Sequence, residues 1–165
     1  MGYQLLETDN SMTEILKKYA DTVFRLCLIY MRNKADAEDA FQNVFLKLCK
    51  IKPSFNDEEH IKAWLITVTT NECKNLLKSF WRKNVVCIDE VISPVIDEGK
   101  KGVPTALLKL PVKYRNVLYL HYFEGYKVSE LAKILNEKEA TIKTRLKRGR
   151  GLMKNEILKG GCEYE

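Results

Sequence analysis

Two short amphipathic segments separated by a tight break constrain this chain more than any other feature. They occupy residues 126–154, YKVSELAKILNEKEATIKTRLKRGRGLMK. The first segment has apolar residues at the i, i+3, i+4 spacing of a helix with one apolar face: Leu131, Ile134 and Leu135. Asn136, between the segments, can adopt the left-handed conformation that ends a helix. The stretch therefore predicts a helix-turn-helix, whose second helix can enter the DNA major groove.

The second segment is also strongly cationic. Positions 138–159 hold eight Lys or Arg residues and two Glu residues, a net charge of +6 that equals the formal net charge of the whole chain. Concentrated cations bind nucleic acid by releasing its counterions, and Lys and Arg side chains hydrogen-bond to guanine edges. A solvated basic helix is the simpler alternative. The break, the apolar stripe and the one-sided charge together favour DNA binding.

Length and composition restrict the remaining possibilities. At 165 residues, with 45% hydrophobic and 30% charged residues, the chain has room for one domain or two small ones. No apolar run reaches membrane-spanning length, and the N-terminus lacks the pattern of a signal peptide. These features predict a cytoplasmic protein without membrane insertion.

The sequence contains no pattern typical of a catalytic, metal or cofactor site. The five cysteines are scattered without a CxxC pair, and both histidines are isolated. The spacing therefore supports neither a zinc site nor a disulfide framework. No motif pairs a nucleophile with a base, and no glycine-rich phosphate loop is present. We expect no metal, no cofactor and no enzymatic activity.

Apolar periodicity predicts three helices in the first half of the chain. Ser11–Glu14 has the form of a capping box, which predicts a helix from there to about Met31. A second helix fits Lys34–Ile51, and a third fits Glu58 to about Lys83. Three helices with short connections indicate a compact helical domain over residues 11–83.

The composition changes after this domain. Residues 84–104 contain two prolines, two glycines and four acids without a helical period, which predicts an acidic linker. A second helical domain follows over residues 105–158, where Pro111 suits the first turn of a helix and Gly125 suits its end. The predicted fold class is therefore all-α, with two small helical domains joined by a linker.

Two of the predicted helices each carry a polar face, which is basic and amidic on the third helix and acidic on the second. The third helix combines amides and cations that could hold a phosphate backbone and unstacked bases: Asn71, Lys74, Asn75 and Lys78. The second helix begins with an acidic cluster, Asp36, Glu38 and Asp39, which is continued by Gln42, Asn43 and Phe45. Acids in a first turn favour the helix dipole, which is the simpler explanation, or they form a patch that docks a basic partner.

Several segments together resemble a known family. DAEDAFQNVFLKL, AWLITVTTNECKNLLKSF, LPVKYRNVLYLHYFEGYKVSELAKIL and ATIKTRLKRGR are similar to segments of bacterial sigma factors. The resemblance is to the extracytoplasmic-function (ECF) group of the sigma-70 family, which keeps only the second and fourth sigma regions. It extends over residues 12–157 in the family's order. The resemblance implies region 2 over 11–83 and region 4 over 105–158.

The resemblance implies a role for each polar face. DAEDAFQ is similar to the segment that docks the clamp helices of the polymerase β′ subunit, a role carried here by Asp36, Glu38, Asp39, Gln42 and Phe45. The third helix resembles the reader of the melted −10 element, with contacts from Asn71, Lys74, Asn75 and Lys78. A preceding loop would help to capture a flipped base: Ser54, Phe55 and Asn56. ATIKTRLKR resembles the reader of the −35 element, with contacts from Thr141, Lys143, Thr144, Lys147 and Arg148.

The same resemblance implies partners. These are core RNA polymerase, through its β′ clamp and β flap, promoter DNA, and an anti-sigma factor that covers the polymerase-binding faces. Catalysis would belong to the polymerase. A stand-alone helix-turn-helix regulator is the first alternative, and it would need a dimer interface and palindromic sites. A helical enzyme or binding module is the second, and it would need a catalytic pair or a cavity.

Overall fold

The fold is helical throughout the part of the chain that the structure describes. The computed structural model describes residues 2–82 and 104–160, with side chains over 12–79 and 104–159, and contains no strand in these ranges. The helices are α1 (Gly2–Met31), α2 (Lys34–Ile51), α3 (Glu58–Arg82), α4 (Thr105–Leu108), α5 (Val112–Leu118), α6 (Val128–Leu135) and α7 (Glu139–Gly160). A π-helical segment, Tyr119–Phe123, continues α5. The predicted all-α fold is confirmed.

The helices α1, α2 and α3 pack against one another as the N-terminal domain. The bounds of α2 are those that the sequence predicts. Asn33 caps this helix, because its Oδ1 accepts a hydrogen bond from the Asp36 N–H at 2.8 Å. At the other end Lys52 adopts a left-handed conformation (φ 48°) and donates its N–H to the Leu48 carbonyl oxygen.

The start of α3 agrees with the sequence prediction, whereas the start of α1 does not. Asp57 starts α3, because its Oδ1 accepts a hydrogen bond from the His60 N–H at 2.7 Å. The predicted start of α1 at Ser11 is wrong, since the helix begins at Gly2. No glycine or proline interrupts the chain between Tyr3 and Met31, so the helix continues through the expected cap.

The C-terminal domain contains the helix-turn-helix. Pro111 precedes α5, and Gly125 follows the π-helical segment with a φ of 77°. Asn136 ends α6 in the left-handed conformation (φ 52°), as the sequence predicts. The two helices of the motif, α6 and α7, pack through side chains that are almost fully buried: Leu131, Leu135, Ile142 and Leu146.

The two domains also contact each other. Helix α1 packs against α5, and α3 packs against α6. The predicted linker lies outside the described residues, apart from Pro104. The structure therefore places the two predicted DNA-reading helices, α3 and α7, on domains that touch.

Gly149 allows α7 to approach α5 closely. A Cβ atom added at Gly149 would lie 3.0 Å from Leu118 Cδ1 and 3.4 Å from Tyr114 Cβ. Gly151 on the same helix has no atom within 4 Å of the corresponding position. The two glycines lie on the same helix, but only Gly149 has neighbouring atoms close to the position of an added Cβ.

This difference predicts opposite effects of substitution on stability. Gly149→Val should lower the free energy of unfolding by about 1–3 kcal/mol, because the added methyl groups overpack the contact between α5 and α7. Gly151→Ala is the matched control and should raise it by up to about 1 kcal/mol, because Ala favours a helix over Gly. Urea unfolding followed by circular dichroism measures both. A Gly149→Val protein as stable as the native chain would contradict the close approach.

Candidate nucleic-acid interface

Helix α7 separates an apolar face from a cationic face. Ile142, Leu146 and Gly149 are buried on the side that faces α5 and α6. The predicted DNA contacts lie on the other side, where Thr141 is half-buried and the rest are exposed: Lys143, Thr144, Lys147 and Arg148. A helix turns by about 100° per residue, which places all five within an arc of about 160°. The structure thus brings the whole predicted set onto one face.

A polar groove of about 350 Å³ runs along this cationic face. Its lining includes residues from the first turns of α7: Ala140, Thr141, Thr144, Arg145 and Arg148. Helix α5 contributes Lys113 and Tyr114, which the sequence reasoning missed. No local sequence pattern connects α5 to α7. The adjacent polar residues in LPVKYR were the available signal that α5 contributes to this groove.

Tyr114 is held among cations in this groove. Desolvation would raise the pKa of its hydroxyl, but hydrogen bonds with Arg148 and Lys113, and the charges of both, lower that pKa. The Lys113 Nζ also lies 5.0 Å from the centroid of the Tyr114 ring. Because the N-terminal end of a long helix favours anions as well, the groove suits a phosphate backbone.

Two other cations of α7 have partners within the protein. Arg145 forms an ion pair with Glu137 at 3.2 Å. Arg150 donates a hydrogen bond from Nη1 to the Tyr122 hydroxyl at 3.1 Å. The cationic face therefore depends on Lys143, Lys147 and Arg148 more than on these two arginines.

A second polar face lies along α3. Asn71, Asn75 and Lys78 are exposed on it and Lys74 is half-buried, whereas the opposite side of the helix is buried: Leu65, Ile66, Thr69, Thr70 and Cys73. Burial is the main cause that lowers the pKa of Lys74. Two charges of the C-terminal domain also act on this pKa, Glu137 raising it and Arg145 lowering it. Charges of the other domain thus affect the pKa of Lys74 on this face.

An aromatic cluster joins the loop before α3 to the start of this face. The Phe55 ring lies edge-on to Trp64 at 5.8 Å and to His60 at 5.3 Å. The Asn56 N–H donates a hydrogen bond to His60 Nδ1 at 3.2 Å, while Ser54 is exposed. From Trp64 to Lys78 the helix rises about 21 Å, a length that several unstacked nucleotides can follow. The sequence reasoning did not assign His60 or Trp64 to this face.

The acidic residues of α2 do not form one uniform patch. The Asp36 carboxylate accepts a hydrogen bond from Asn33 Nδ2 at 2.6 Å, beside the cap of the helix. Glu38, Asp39 and Gln42 are exposed, and Phe45 is half-buried with its ring 4.8 Å from that of Phe41. Leu46, which the sequence reasoning missed, is 56% exposed beside them. Single exposed leucines are common on protein surfaces, so Leu46 adds apolar area to this acidic face without marking a binding site by itself.

The C-terminal domain also carries an apolar groove of about 370 Å³. Its lining combines the π-helical segment with the end of α7 and includes Leu118, Tyr122, Phe123, Met153 and Ile157. Tyr122, Phe123 and Ile157 are each about half exposed. The π-helical turn presents two aromatic side chains outward, so this groove is a second candidate surface for a protein partner.

Other kinds of site have no counterpart in the described parts of the chain. Within residues 2–82 and 104–160, no group of His, Cys, Asp and Glu side chains is arranged to hold a metal ion. In the same ranges, no helix has the length and apolar character needed to cross a membrane.

Two known family models match the two domains that carry these faces. The model described as "Sigma-70 region 2" matches residues 15–83, and the model described as "Sigma-70, region 4" matches residues 101–153. The first match covers the helices of the N-terminal domain and the second covers the helix-turn-helix. The chain therefore belongs to the sigma-70 family of RNA polymerase sigma factors.

Individual relatives place it in the ECF group of that family. The chain is 28% identical to "RNA polymerase sigma factor SigV" of Bacillus subtilis over 82% of this chain and 84% of that protein. It is 25% identical to "ECF RNA polymerase sigma factor SigW" of the same organism, over 90% of this chain and 89% of that protein. Both alignments include the two domains.

Solved structures show the same fold. The sigma factor RpoE in complex with the anti-sigma factor NepR, from Bartonella quintana, has a TM-score of 0.74 and 22% identity, and the match covers 89% of this chain and 96% of that chain. CnrH in complex with the cytosolic domain of CnrY has a TM-score of 0.64 and 18% identity, with coverage of 92% and 90%.

The different surroundings of Asp36 and Asp39 predict different effects on stability. Asp36→Ala should lower the free energy of unfolding by about 0.5–1.5 kcal/mol, because it removes a hydrogen bond beside the cap of α2. Asp39→Ala should change it by less than about 0.5 kcal/mol, because Asp39 is exposed. Thermal or urea unfolding of both variants gives the comparison. Equal losses would show that Asp36 has no structural role.

Proposed function

We propose that this chain is a dissociable promoter-specificity subunit of RNA polymerase. The observation that carries the proposal is the presence of four surfaces in one chain. Two are helix faces with cations or amides, one on each domain. The other two include exposed apolar side chains. A DNA reader alone needs only the first kind of surface. A subunit that mounts DNA readers on a polymerase needs both kinds.

The C-terminal domain reads the −35 element as duplex DNA. Helix α7 enters the major groove, where Lys143, Lys147 and Arg148 contact bases and phosphates. Thr141 and Thr144 lie on the same face, near the N-terminus of the helix, and hold a phosphate. Lys113 and Tyr114 extend this contact from α5, because they line the same groove as Arg148.

The N-terminal domain reads the −10 element as a single strand. Asn71, Lys74, Asn75 and Lys78 contact the non-template strand along α3, where amides and cations suit unstacked bases. Ser54, Phe55 and Asn56 receive a flipped base beside the aromatic cluster of His60 and Trp64. Extrusion of a base costs a few kcal/mol, so capture in this loop makes strand opening depend on sequence.

Two surfaces bind core polymerase. The outer side of α2 docks on the β′ clamp through Glu38, Asp39 and Gln42, with Leu46 as an apolar contact one turn beyond them. Asp36 and Phe45 support this surface, because Asp36 lies beside the cap of α2 and Phe45 packs on Phe41. The apolar groove of the C-terminal domain receives the β flap. An anti-sigma factor would act by covering these same surfaces.

Chemistry in this proposal belongs to the polymerase and not to this chain. The chain supplies binding, orientation and base capture, none of which needs a metal or cofactor. Since polymerase and promoter DNA share the bacterial cytoplasm, the proposal implies a cytoplasmic location.

A stand-alone helix-turn-helix regulator is the second candidate, and the cationic face of α7 alone would suit it. A stand-alone regulator would have no use for the exposed polar face of α3 or for the exposed Leu46 on α2. A gel shift on duplex DNA with and without core polymerase distinguishes the two. The sigma factor should give a sequence-specific complex only when polymerase is present.

Arg148→Ala should separate DNA reading from polymerase binding. Loss of this exposed guanidinium should weaken promoter binding by about 1–3 kcal/mol, because it removes a contact to a base or phosphate. Run-off transcription should fall accordingly, while affinity for core polymerase stays unchanged. Lys159→Ala, at the far end of α7, is the control and should leave transcription unaffected. An equal loss of polymerase affinity in Arg148→Ala would show that this face binds protein.

Asp39→Lys should have the reverse effect. A reversed charge on the α2 surface should reduce association with core polymerase at least about tenfold, because like charges at an interface cost several kcal/mol. DNA binding by the helix-turn-helix should persist. Glu14→Lys, an exposed charge reversal on α1, is the matched control. Undiminished pull-down of polymerase by Asp39→Lys would reject the α2 surface.

A further inference from the structure

The capture loop, residues 54–56, alternates between exposed and packed side chains. Ser54 and Asn56 are exposed, whereas Phe55 between them is half-buried and packs against the core. The Phe55 ring lies edge-on to the rings of His60, at 5.3 Å, and Trp64, at 5.8 Å. Phe55 therefore anchors the loop on α3, and its two polar neighbours are the side chains that a base can reach.

His60 holds the backbone of the same loop. Its Nδ1 accepts a hydrogen bond from the Asn56 N–H at 3.2 Å, so the neutral ring carries its hydrogen on Nε2. The His60 N–H donates in return to Asp57 Oδ1 at 2.7 Å. A capping box has this reciprocal arrangement, in which a side chain in the first turn reaches back to a backbone N–H. Here the acceptor is an imidazole, and it reaches past the cap to a residue of the loop.

The first turn of α3 is itself fixed on α1. Glu58 forms an ion pair with Lys18, and the Glu58 carbonyl oxygen accepts a hydrogen bond from the Tyr19 hydroxyl at 3.3 Å. Both contacts lie within the N-terminal domain. Because His60 belongs to the same turn, its ring fixes the loop relative to the rest of that domain.

His60 contributes to the loop more than to the core. The residue is exposed, and the side-chain contacts that the structure describes for it are with the Asn56 backbone and the Phe55 ring. A loop that is already ordered loses less conformational entropy when it binds a ligand. Extrusion of a base from a duplex is itself costly, so any cost of ordering the loop would add to it.

We propose that His60 is a positioning residue for base capture, because its Nδ1 holds the Asn56 backbone so that the exposed Asn56 amide meets the edge of an unstacked base. This amide offers two N–H donors and an oxygen acceptor, which suit hydrogen bonds with a base edge. Phe55 supports the loop through its packing. The role of His60 rests on the proposed function, whereas its hydrogen bond with Asn56 does not.

Two substitutions of His60 separate its acceptor from its ring. In His60→Asn the side-chain oxygen can take the place of Nδ1, so the acceptor is kept and the ring is lost. In His60→Phe the ring is kept and the acceptor is lost. The two variants are therefore matched controls for each other.

Hydrogen exchange of the Asn56 amide tests the contact in the free, full-length chain. Exchange should be at least about fivefold faster in His60→Phe than in the native chain, because the amide loses its acceptor. His60→Asn should keep the rate within about twofold of the native one. NMR of the isotope-labelled proteins measures all three rates.

The imidazole nitrogens give a second spectroscopic test in the native chain. In the neutral ring, His60 Nδ1 should be unprotonated, because it accepts a hydrogen bond. His121 provides the internal reference, since its Nδ1 lies 2.7 Å from the Tyr126 carbonyl oxygen and must carry a proton to donate to it. Nitrogen chemical shifts at a mildly alkaline pH distinguish the two tautomers.

The fluorescence of 2-aminopurine tests base capture in the holoenzyme. The probe replaces each base of the −10 element in turn, in a promoter that the native chain transcribes, and its fluorescence rises when it leaves the stack. His60→Phe should reduce the rise at the captured position at least about fivefold, and His60→Asn should keep at least about half of it. Affinity for core polymerase should stay unchanged in both, which shows that the variants are folded.

A protonated Nδ1 in neutral His60 overturns the proposal, as does an Asn56 amide that exchanges equally fast in the native chain and in His60→Phe. Capture by His60→Phe at the native level also overturns it. Equal losses of capture in both variants would assign the effect to the ring and not to the acceptor, which overturns it as well.

The same measurements separate failure of this proposal from failure of the proposed function. If the native chain captures a base and His60→Phe does so equally well, only the role of His60 is rejected. If the native holoenzyme gives no fluorescence rise at any position, base capture by this chain is rejected, and the role of His60 with it. The hydrogen bond between His60 and Asn56 would stand in either case if the exchange rates differ as expected.

Discussion

Each helix that carries a proposed functional face is anchored by a buried apolar stripe on its opposite side. Helix α2 packs on α1 and α3 and is held by four buried side chains, Ala37, Ala40, Val44 and Leu48. Helix α7 is held by Ile142 and Leu146. Burial of such a stripe fixes the rotation of a helix about its axis, because the free energy of apolar burial is lost if the helix turns. The positions of the charged residues follow from this constraint. Their identities determine what each face binds.

The described contacts add a constraint between the domains. Arg115 of α5 is buried, and its guanidinium donates hydrogen bonds to the carbonyl oxygens of Ile29 and, at 3.2 Å, Tyr30 at the end of α1. These contacts are specific in geometry, while desolvation of the guanidinium limits their net stability.

Local sequence patterns predicted much of the fold. The bounds of α2, the turn at Asn136 and the one-sided charge of α7 all follow from interactions within a few residues. The start of α1 at Gly2 was not predicted, since a capping box signals a possible start and cannot exclude a longer helix. The pattern also grouped Asp36 with its acidic neighbours, although the structure places its carboxylate beside the helix cap.

The remaining features depend on contacts that are distant in sequence. Tyr114 joins the groove on α7 through packing between helices, and Arg115 reaches carbonyls of α1 across 86 positions. A charged residue at an apolar-stripe position, three residues before Leu118, was the only sign that Arg115 is buried. A charged residue in an apolar stripe indicates burial but does not identify its partner. The interface between α1 and α5 therefore could not be predicted from local sequence patterns.

In vitro transcription from a pool of random promoter sequences tests the central claim most directly, with core polymerase supplied alone or together with this chain. The account predicts that specific initiation requires the chain, and that the transcribed templates share two short elements at one fixed spacing. Templates that share a single palindromic site, or no initiation above that of polymerase alone, would contradict it.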